Sequence, residues 1–399
     1  MANKTIIVGD LHLGKGLSIG KPAADGGLNS RLSDQVRLLN WIFDCGINRN
    51  INRIIITGDV FDETKPDSNL IVIFMDWLRQ CEDYGIDVHI VVGNHDLKRI
   101  GNRYTSILNV IGSAGFDRVF IHNSFYTLHT EGVSFTFVPY RDKRALGCNT
   151  VEEAILKIGE LIPFELGSIP VDNDRVLVGH LALEGSFWTD EIDDVSNELM
   201  VPLQMFEGYT FTWMGHVHTP QLMNCGHYVE HIGSLDISDF GETNHKKNII
   251  CYDPFTSNRF EKIIIPTRPL RRVKIEIPKC DNATEFLLNY ISKQNKSVGF
   301  KDALVKIELK LLDPESKDID RVRIIEELNK LGVYYISYFS ESRSVAVVPD
   351  DKKHISDSAI SPKDAVKSWA DMQDFSSNED EKQQFVNACL EVISATDAG

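Results

Sequence analysis

Five segments of this 399-residue chain, IIVGD, IIITGD, IVVGNHD, VLVGH and TFTWMGHVH, are apolar, mostly β-branched runs that stop at a glycine. At or just after those glycines stand Asp10, His12, Asp59, Asn94, His95, His180, His216 and His218. All are metal-ligand types. The two oxygens of Asp59 can bridge a pair of ions, Asn94 offers a neutral amide oxygen, and the imidazoles offer nitrogen. Two ions sharing one carboxylate need about four protein ligands each, and Asp10, His12, Asp59, Asn94, His180, His216 and His218 supply that set. With no thiolate among the donors, two Mn²⁺ ions are the first reading, and Mg²⁺ or Fe²⁺ the alternatives. His95 is left over and precedes Asp96, so it is read as a general acid oriented by that carboxylate, donating a proton to a leaving alkoxide. A single histidine at a strand end is more often structural, and His89, His122 and His129 are read that way. Five strand ends bearing ligand types together are hard to attribute to packing.

The elements that must carry these residues follow from the apolar pattern. Residues 4 to 9, 53 to 57, 87 to 92, 174 to 179 and 210 to 214 read as buried strands, and 32 to 46, 66 to 82, 102 to 113 and 151 to 160 as helices. That order makes an α/β protein, whose ligands bind at the carboxyl ends of its strands. Each glycine is expected to let the chain turn sharply there. Short alternating strands at 117 to 138 and 227 to 264 predict antiparallel additions. Beyond Pro266 the ligand residues cease, and 266 to 349 reads as a smaller α/β domain of β-α-β-α-β-β order. The polar stretch 350 to 363 reads as a linker and 364 to 399 as a helical tail. Phe385, Val386, Cys389, Leu390 and Ile393 share one face of that tail, as a helix seeking a partner surface would arrange them.

A net charge of −16 argues against a protein that coats its whole surface with nucleic acid, but leaves room for a local basic groove. Four clusters could build one: Lys98, Arg99 and Arg103; Arg141, Lys143 and Arg144; Lys246 and Lys247; and Arg268, Arg271 and Arg272. Three flank the ligand motifs or the domain junction, where a phosphate backbone would need neutralising. The GKGLSIGKP segment has Lys15 and Pro22 where a phosphate-binding loop needs glycine and Ser or Thr, so any ATP must be bound by another chain. Seven cysteines without a C-x-x-C pair fit reduced thiols. With no signal-like leader and no apolar stretch of membrane-spanning length, a cytoplasmic location is expected, in a bacterium or a phage-infected host.

Taken in order, D-x-H, G-D, G-N-H-D, G-H and G-H-x-H resemble the calcineurin-like metallophosphoesterase superfamily. Within it the chain is most similar to the SbcD family of DNA double-strand-break repair nucleases, which includes recombination endonuclease subunits of large bacteriophages. GDVFDETKP, GNHD and IGSLDISDFGE extend that similarity. The resemblance implies a four-layer α/β/β/α sandwich, a capping domain that contacts DNA, and a C-terminal helical segment that binds an SbcC-type coiled-coil ATPase. It implies one metal on Asp10, His12, Asp59 and His218, the other on Asp59, Asn94, His180 and His216, and His95 as acid. Asp62 stands where relatives vary between Asp and His. The implied activity is 3′-to-5′ exonuclease action on duplex ends and endonuclease action on single strands. A homodimer is expected through 70 to 78 with 104 to 111. Two other functions stay open. One is a small-molecule phosphodiesterase or protein phosphatase: protein phosphatases of this type carry G-D-x-V-D-R-G and G-N-H-E, unlike GDVFDET and GNHD here, and such enzymes rarely carry a separate α/β domain followed by a tethered helical tail. A catalytically silent scaffold usually loses ligands, and none is missing.

Overall fold

A computed structural model describes residues 3–23, 27–100, 103–187, 198–243, 245–313, 317, 319–344, 366, 383 and 386–390. The β-branched runs form strands buried on both faces, as parallel strands between two apolar layers must be. In the first six-stranded sheet, β1 (Thr5–Val8), β2 (Arg53–Ile56), β3 (Asp87–Val91) and β6 (Val119–His122) run parallel. Two antiparallel strands, β13 (Asn248–Tyr252) and β14 (Phe260–Ile264), complete it beside β1. A short hairpin of β4 (Leu97–Ile100) and β5 (Arg103–Ser106) stands apart. The second six-stranded sheet has parallel β8 (Val133–Val138), β9 (Asp174–Gly179), β10 (Phe211–Met214) and β12 (Val229–His231). Its edges are the antiparallel β7 (Tyr126–Thr130) and β11 (Gln221–Leu222).

Alternation along the strands decides the layering. Ile6 and Val8 pack outward, with Ile54, Ile56, Val88 and Ile90, against α1 (Ser30–Arg49) and α2 (Ser68–Asp83). Ile7, Ile55 and Val91 point the other way, against Phe135, Phe137, Val176, Val178 and Trp213 of the second sheet. The far face of that sheet takes Ala154, Ile158 and Ile162 of α4 (Val151–Gly167). The result is the four-layer α/β/β/α sandwich. Each such apolar side chain contributes about 1.5–3 kcal/mol on burial, and the polar residues among them, Arg53, His89 and His122, lie against the rings of Phe135 and Phe137.

Helix ends follow local chemistry. The Asn29 side chain accepts from Arg31 N to start α1, and the Asp67 side chain accepts from Asn69 N to start α2. The helix expected over 102 to 113 is corrected. Only α3 (Ile107–Gly112) is helical, capped by Ser106, and the residues before it belong to the hairpin. The apolar spacing of ILNVI sustains a short helix, whereas Arg-Tyr-Thr-Ser favours an extended backbone. In the segment expected to pair two copies, Leu70, Phe74, Trp77 and Leu78 are buried within this protomer and Val72 is exposed.

After Pro266 come β15 (Leu270–Ile277), α5 (Ala283–Val298), β16 (Leu304–Leu311), α6 (Arg321–Lys330) and β17 (Tyr335–Arg343), whose strands form a three-stranded sheet in that order. The sixth expected segment, SVAVVP, lies outside the described residues beyond Ser344, as does the linker at 350 to 363. Of the expected tail face, Val386, Cys389 and Leu390 fall in a described helical stretch, whereas Phe385 and Ile393 lie outside the described residues. The chain divides into two compact units, one of 1–275, 284–309 and 319–340 and one of 276–283, 310–318 and 341–399. All seven cysteines are free thiols, and no described helix is long and apolar enough to cross a membrane.

Candidate metal centre

The strand-end glycines are there chiefly for want of space. A Cβ on Gly9 would lie 1.6 Å from the Gly233 carbonyl oxygen, and one on Gly93 2.1 Å from Asp59 Oδ1. On Gly215 it would lie 2.2 Å from Asp10 Oδ1, and on Gly179 2.9 Å from Met214 Sδ. Of the five only Gly58 needs a left-handed backbone, at φ 126°, and its Cβ would also strike His180 Nδ1 at 2.4 Å. The expectation that glycine serves the turn is therefore corrected at four positions. The left-handed backbone falls on the ligands themselves: His12 at φ 44°, Asp59 at 46° and His216 at 77°. Such conformations cost about 1–3 kcal/mol each and persist only where neighbours over-determine them. Here they do. His12 N donates to the Asp59 carbonyl at 2.8 Å, and His216 N donates to Asp10 Oδ2 at 2.8 Å.

These constraints bring all seven expected ligands together. The His12 and His218 Nε2 atoms stand 2.9 Å apart, with His12 Nε2 3.5 Å from Asp59 Oδ2. On the other side, Asn94 Oδ1 lies 2.8 Å from His180 Nε2 and 3.0 Å from His216 Nδ1, and His180 Nε2 lies 3.3 Å from Asp59 Oδ2. Donor atoms of Asp10, His12 and His218 lie within 4.8 Å of one another, as do those of Asp10, Asp59 and His180. Asp59 touches histidines of both groups.

Each of the four imidazoles has its second nitrogen on an oxygen. His12 Nδ1 faces Asp62 Oδ1 at 3.3 Å, His180 Nδ1 the Thr57 carbonyl at 2.9 Å, His216 Nε2 Glu198 at 3.3 Å and His218 Nδ1 Glu242 at 3.5 Å. Oxygen acceptors behind ligating imidazoles fix the tautomer and aim the free nitrogen at the metal. The residues 4–220 match the family model for calcineurin-like phosphoesterases. The chain belongs to this family. Among solved structures, a dimetal phosphatase from Danio rerio is similar at 9% identity and a TM-score of 0.37, covering 66% of this chain and 98% of its own.

A calcineurin-like phosphoesterase is a hydrolase with a two-metal site, and the donor set here fits one. Two buried carboxylates, Asp10 and Asp59, gathered with imidazole donors form a stable buried group only with positive charge beside them. Without a metal, that charge falls on His180: burial opposes protonation, but Asp59 and Asp10 outweigh it and raise the imidazole to about 10. Burial lowers His12 to about 4 in the same centre. Asp59 is held well below the usual carboxylate range by His180 and His12, against its burial.

His95 stands at the rim. Its backbone N donates to Asp59 Oδ1 at 2.8 Å, its ring meets that of His12 edge-on at 4.8 Å, and its Nδ1 lies 2.6 Å from the Asp62 carbonyl. Asp96 does not orient it, contrary to expectation. The two Asp96 oxygens accept from Val60 N and Gly93 N at 3.0 and 2.9 Å, so this buried carboxylate braces the loops of β2 and β3. Burial and then Asp59 raise it to about 7.

Three partners of the site escaped the sequence, Thr57, Glu198 and Glu242, and a fourth, Asp62, was noted there without a role. Asp62 and Glu242 lie in family-like text, GDVFDET and IGSLDISDFGE, while Glu198 has no local signal. The basic clusters divide. Lys247 is buried, with Nζ donating to the His218 carbonyl and Ser234 Oγ at 2.8 Å and paired with Glu242 at 3.2 Å. Arg268 is committed to Asp34 and Asp302, Arg272 to Glu308, and Arg271 to the Val298 and Gly299 carbonyls. The expectation that these groups neutralise a phosphate backbone is corrected for those four residues.

Proposed function

We propose that this calcineurin-like phosphoesterase is a manganese-dependent DNA nuclease, a 3′-to-5′ exonuclease on duplex ends and endonuclease on single strands, working as a homodimeric subunit with an SbcC-type coiled-coil ATPase. The observation that carries the hydrolytic part is the donor set built around Asp59, with His95 beside it and outside it. DNA as substrate is supported by the motif text GDVFDETKP, GNHD and IGSLDISDFGE. Bound on Asp10, His12, Asp59 and His218 and on Asp59, Asn94, His180 and His216, two divalent ions would supply Lewis acidity and a nucleophile from water near neutral pH. The chain does the rest. The Thr57 carbonyl fixes the tautomer of His180, and the carboxylates of Asp62, Glu198 and Glu242 stand 3.3 to 3.5 Å behind the other three imidazoles and favour a proton on the nitrogen facing them. His95 donates Nδ1–H to the Asp62 carbonyl, so as the imidazolium it carries its second proton on Nε2, and passing that proton to the leaving alkoxide returns it to the neutral ring. ATP must come through the partner, because the 14 to 22 segment lacks a phosphate-binding loop.

The test is a cleavage assay over Mn²⁺ and Mg²⁺ on linear duplex, hairpin and single-stranded circular DNA, with and without a coiled-coil ATPase and ATP, beside a chromogenic phosphate ester. Duplex ends are expected to shorten with Mn²⁺, and faster with the ATPase. Turnover of the ester with no DNA cleaved under any condition would return the chain to the small-molecule esterases.

A further inference from the structure

The segments that carry two of the four basic clusters border one cavity, and of their charged side chains Arg141 lines it. The hairpin β4 and β5 follows the Asn94-His95-Asp96 turn at once, with Leu97 N donating to the Asn94 carbonyl at 3.2 Å. The segment after β8 runs back to the same place, where Tyr140 N donates to the Val92 carbonyl and the Tyr140 ring lies 5.8 Å from the His216 ring. The Tyr104 hydroxyl clasps Asp142 at 2.7 and 2.8 Å and ties hairpin to segment. Between them lies a cavity of about 250 Å³ lined by Tyr104, Thr105, Asn109, Asn123 and Arg141.

Arg141 is the telling group. It is half-buried, its guanidinium donates to the neighbouring Tyr140 carbonyl at 2.8 Å, and among the described residues it makes no ion pair. Burial lowers its pKa, the direction expected of a cation with too little compensation. The arginines at 268 and 272 and Lys247, by contrast, each have a carboxylate. Lys98, on β4 of the hairpin, is lowered by the like charge of Lys65 beside it. A half-buried guanidinium is stabilised best by a planar pair of oxygens, and phosphate presents them.

Resting on the nuclease reading, we propose that this cavity is a second phosphate subsite, in which Arg141 holds the phosphate next along the strand from the one at the metal centre. The grip makes the enzyme prefer substrates with two phosphates over those with one. That neighbour is either a bridging diester or a terminal monoester.

The experiment uses the full chain with Mn²⁺ and compares kcat/KM for bis(p-nitrophenyl) phosphate, an unphosphorylated dinucleotide, the same dinucleotide with a terminal phosphate at either end, and a trinucleotide. Arg141→Gln is expected to lower the trinucleotide value about tenfold or more beyond its effect on the dinucleotide. Arg141→Lys should recover part of that selective loss, and Asn123→Asp, at an exposed position, should reproduce it by repulsion. A terminally phosphorylated dinucleotide that shares the loss assigns the subsite to either source, whereas a loss confined to the trinucleotide assigns it to the bridging diester. Losses by one common factor on every substrate, in both Arg141→Gln and Asn123→Asp, overturn the subsite while leaving the nuclease reading intact. Wild-type enzyme that turns over the chromogenic diester and no nucleotide overturns the nuclease reading, and the subsite with it.

Discussion

Two sets of histidines lie close together in this sandwich and could hardly differ more. At the centre, His12, His180, His216 and His218 each turn one nitrogen inward and rest the other on a carboxylate or carbonyl oxygen. A short way down the strands, His89 Nδ1 and His122 Nε2 share a 2.9 Å hydrogen bond, and the His122 ring stacks on Phe137 at 3.7 Å. Among the described residues that pair has no carboxylate behind it, and burial drives both rings toward neutrality, His89 to about 2 and His122 to about 4. What separates a ligand from a packing residue is therefore the atom behind the ring. The ring's depth does not, since His12 and His180 are as buried as His89.

The comparison can be broken at either set. Removing a central donor has the largest expected effect: His216→Ala or Asp10→Ala should bring hydrolysis of DNA and of a chromogenic diester to background, and cleavage retained in excess Mn²⁺ would show that the reaction happens elsewhere. His95→Asn should keep its metals, counted by elemental analysis, while kcat falls about 10² to 10⁴-fold. A variant with wild-type turnover would strip His95 of its role. The oxygens behind the rings are tested by Glu242→Gln and Glu198→Gln, each expected to weaken Mn²⁺ binding by about 10 to 100-fold in a titration of activity against metal. Unchanged affinity would reduce those glutamates to packing.

The smallest effect belongs to the outer pair. His122 is lowered from 6.5 to about 4, so between those values the unfolded chain binds more protons than the folded one. Its contribution to stability is fully present above pH 6.5 and is lost as the pH falls through that window toward 4. His122→Phe keeps a ring in the stack and removes the titration. Going from pH 7.5 to 5.5, the metal-free variant should lose about 1 kcal/mol less than wild type in urea denaturation. Equal losses would mean that this histidine does not titrate differently on folding.

Much of this was legible beforehand, for identifiable reasons. The β-branched runs and their glycines are local patterns, so the central strands and the candidate donors could be read directly, whereas β6, β8 and β12, expected as antiparallel additions, run parallel because direction is set by pairing with distant strands. The layering of Ile6 and Val8 against Ile7 follows from the strand period. Contacts between distant segments could not be read. Asp96 is next to His95 in sequence, but the two stand in a turn whose backbone donors lie on the Asp96 side, and its oxygens went to Val60 N and Gly93 N. Lys247 looks like surface in the text and is buried, because its ammonium is consumed by Glu242 and the His218 carbonyl. Nor does any local signal announce that His12, Asp59 and His216 must adopt left-handed backbone. That requirement arises only when five loops compete for one space.

The lack of clearance around the glycines bears on the order of folding. A Cβ on Gly58, after β2 of the first sheet, would strike His180 of the second, and one on Gly215, after β10 of the second, would strike Asp10 of the first, just as the candidate donors are divided between the ends of the two sheets. Neither sheet can complete its half of the centre alone. Metal capture must therefore follow the docking of the two sheets, and the rate at which a refolding chain acquires its ions becomes a clock for that docking.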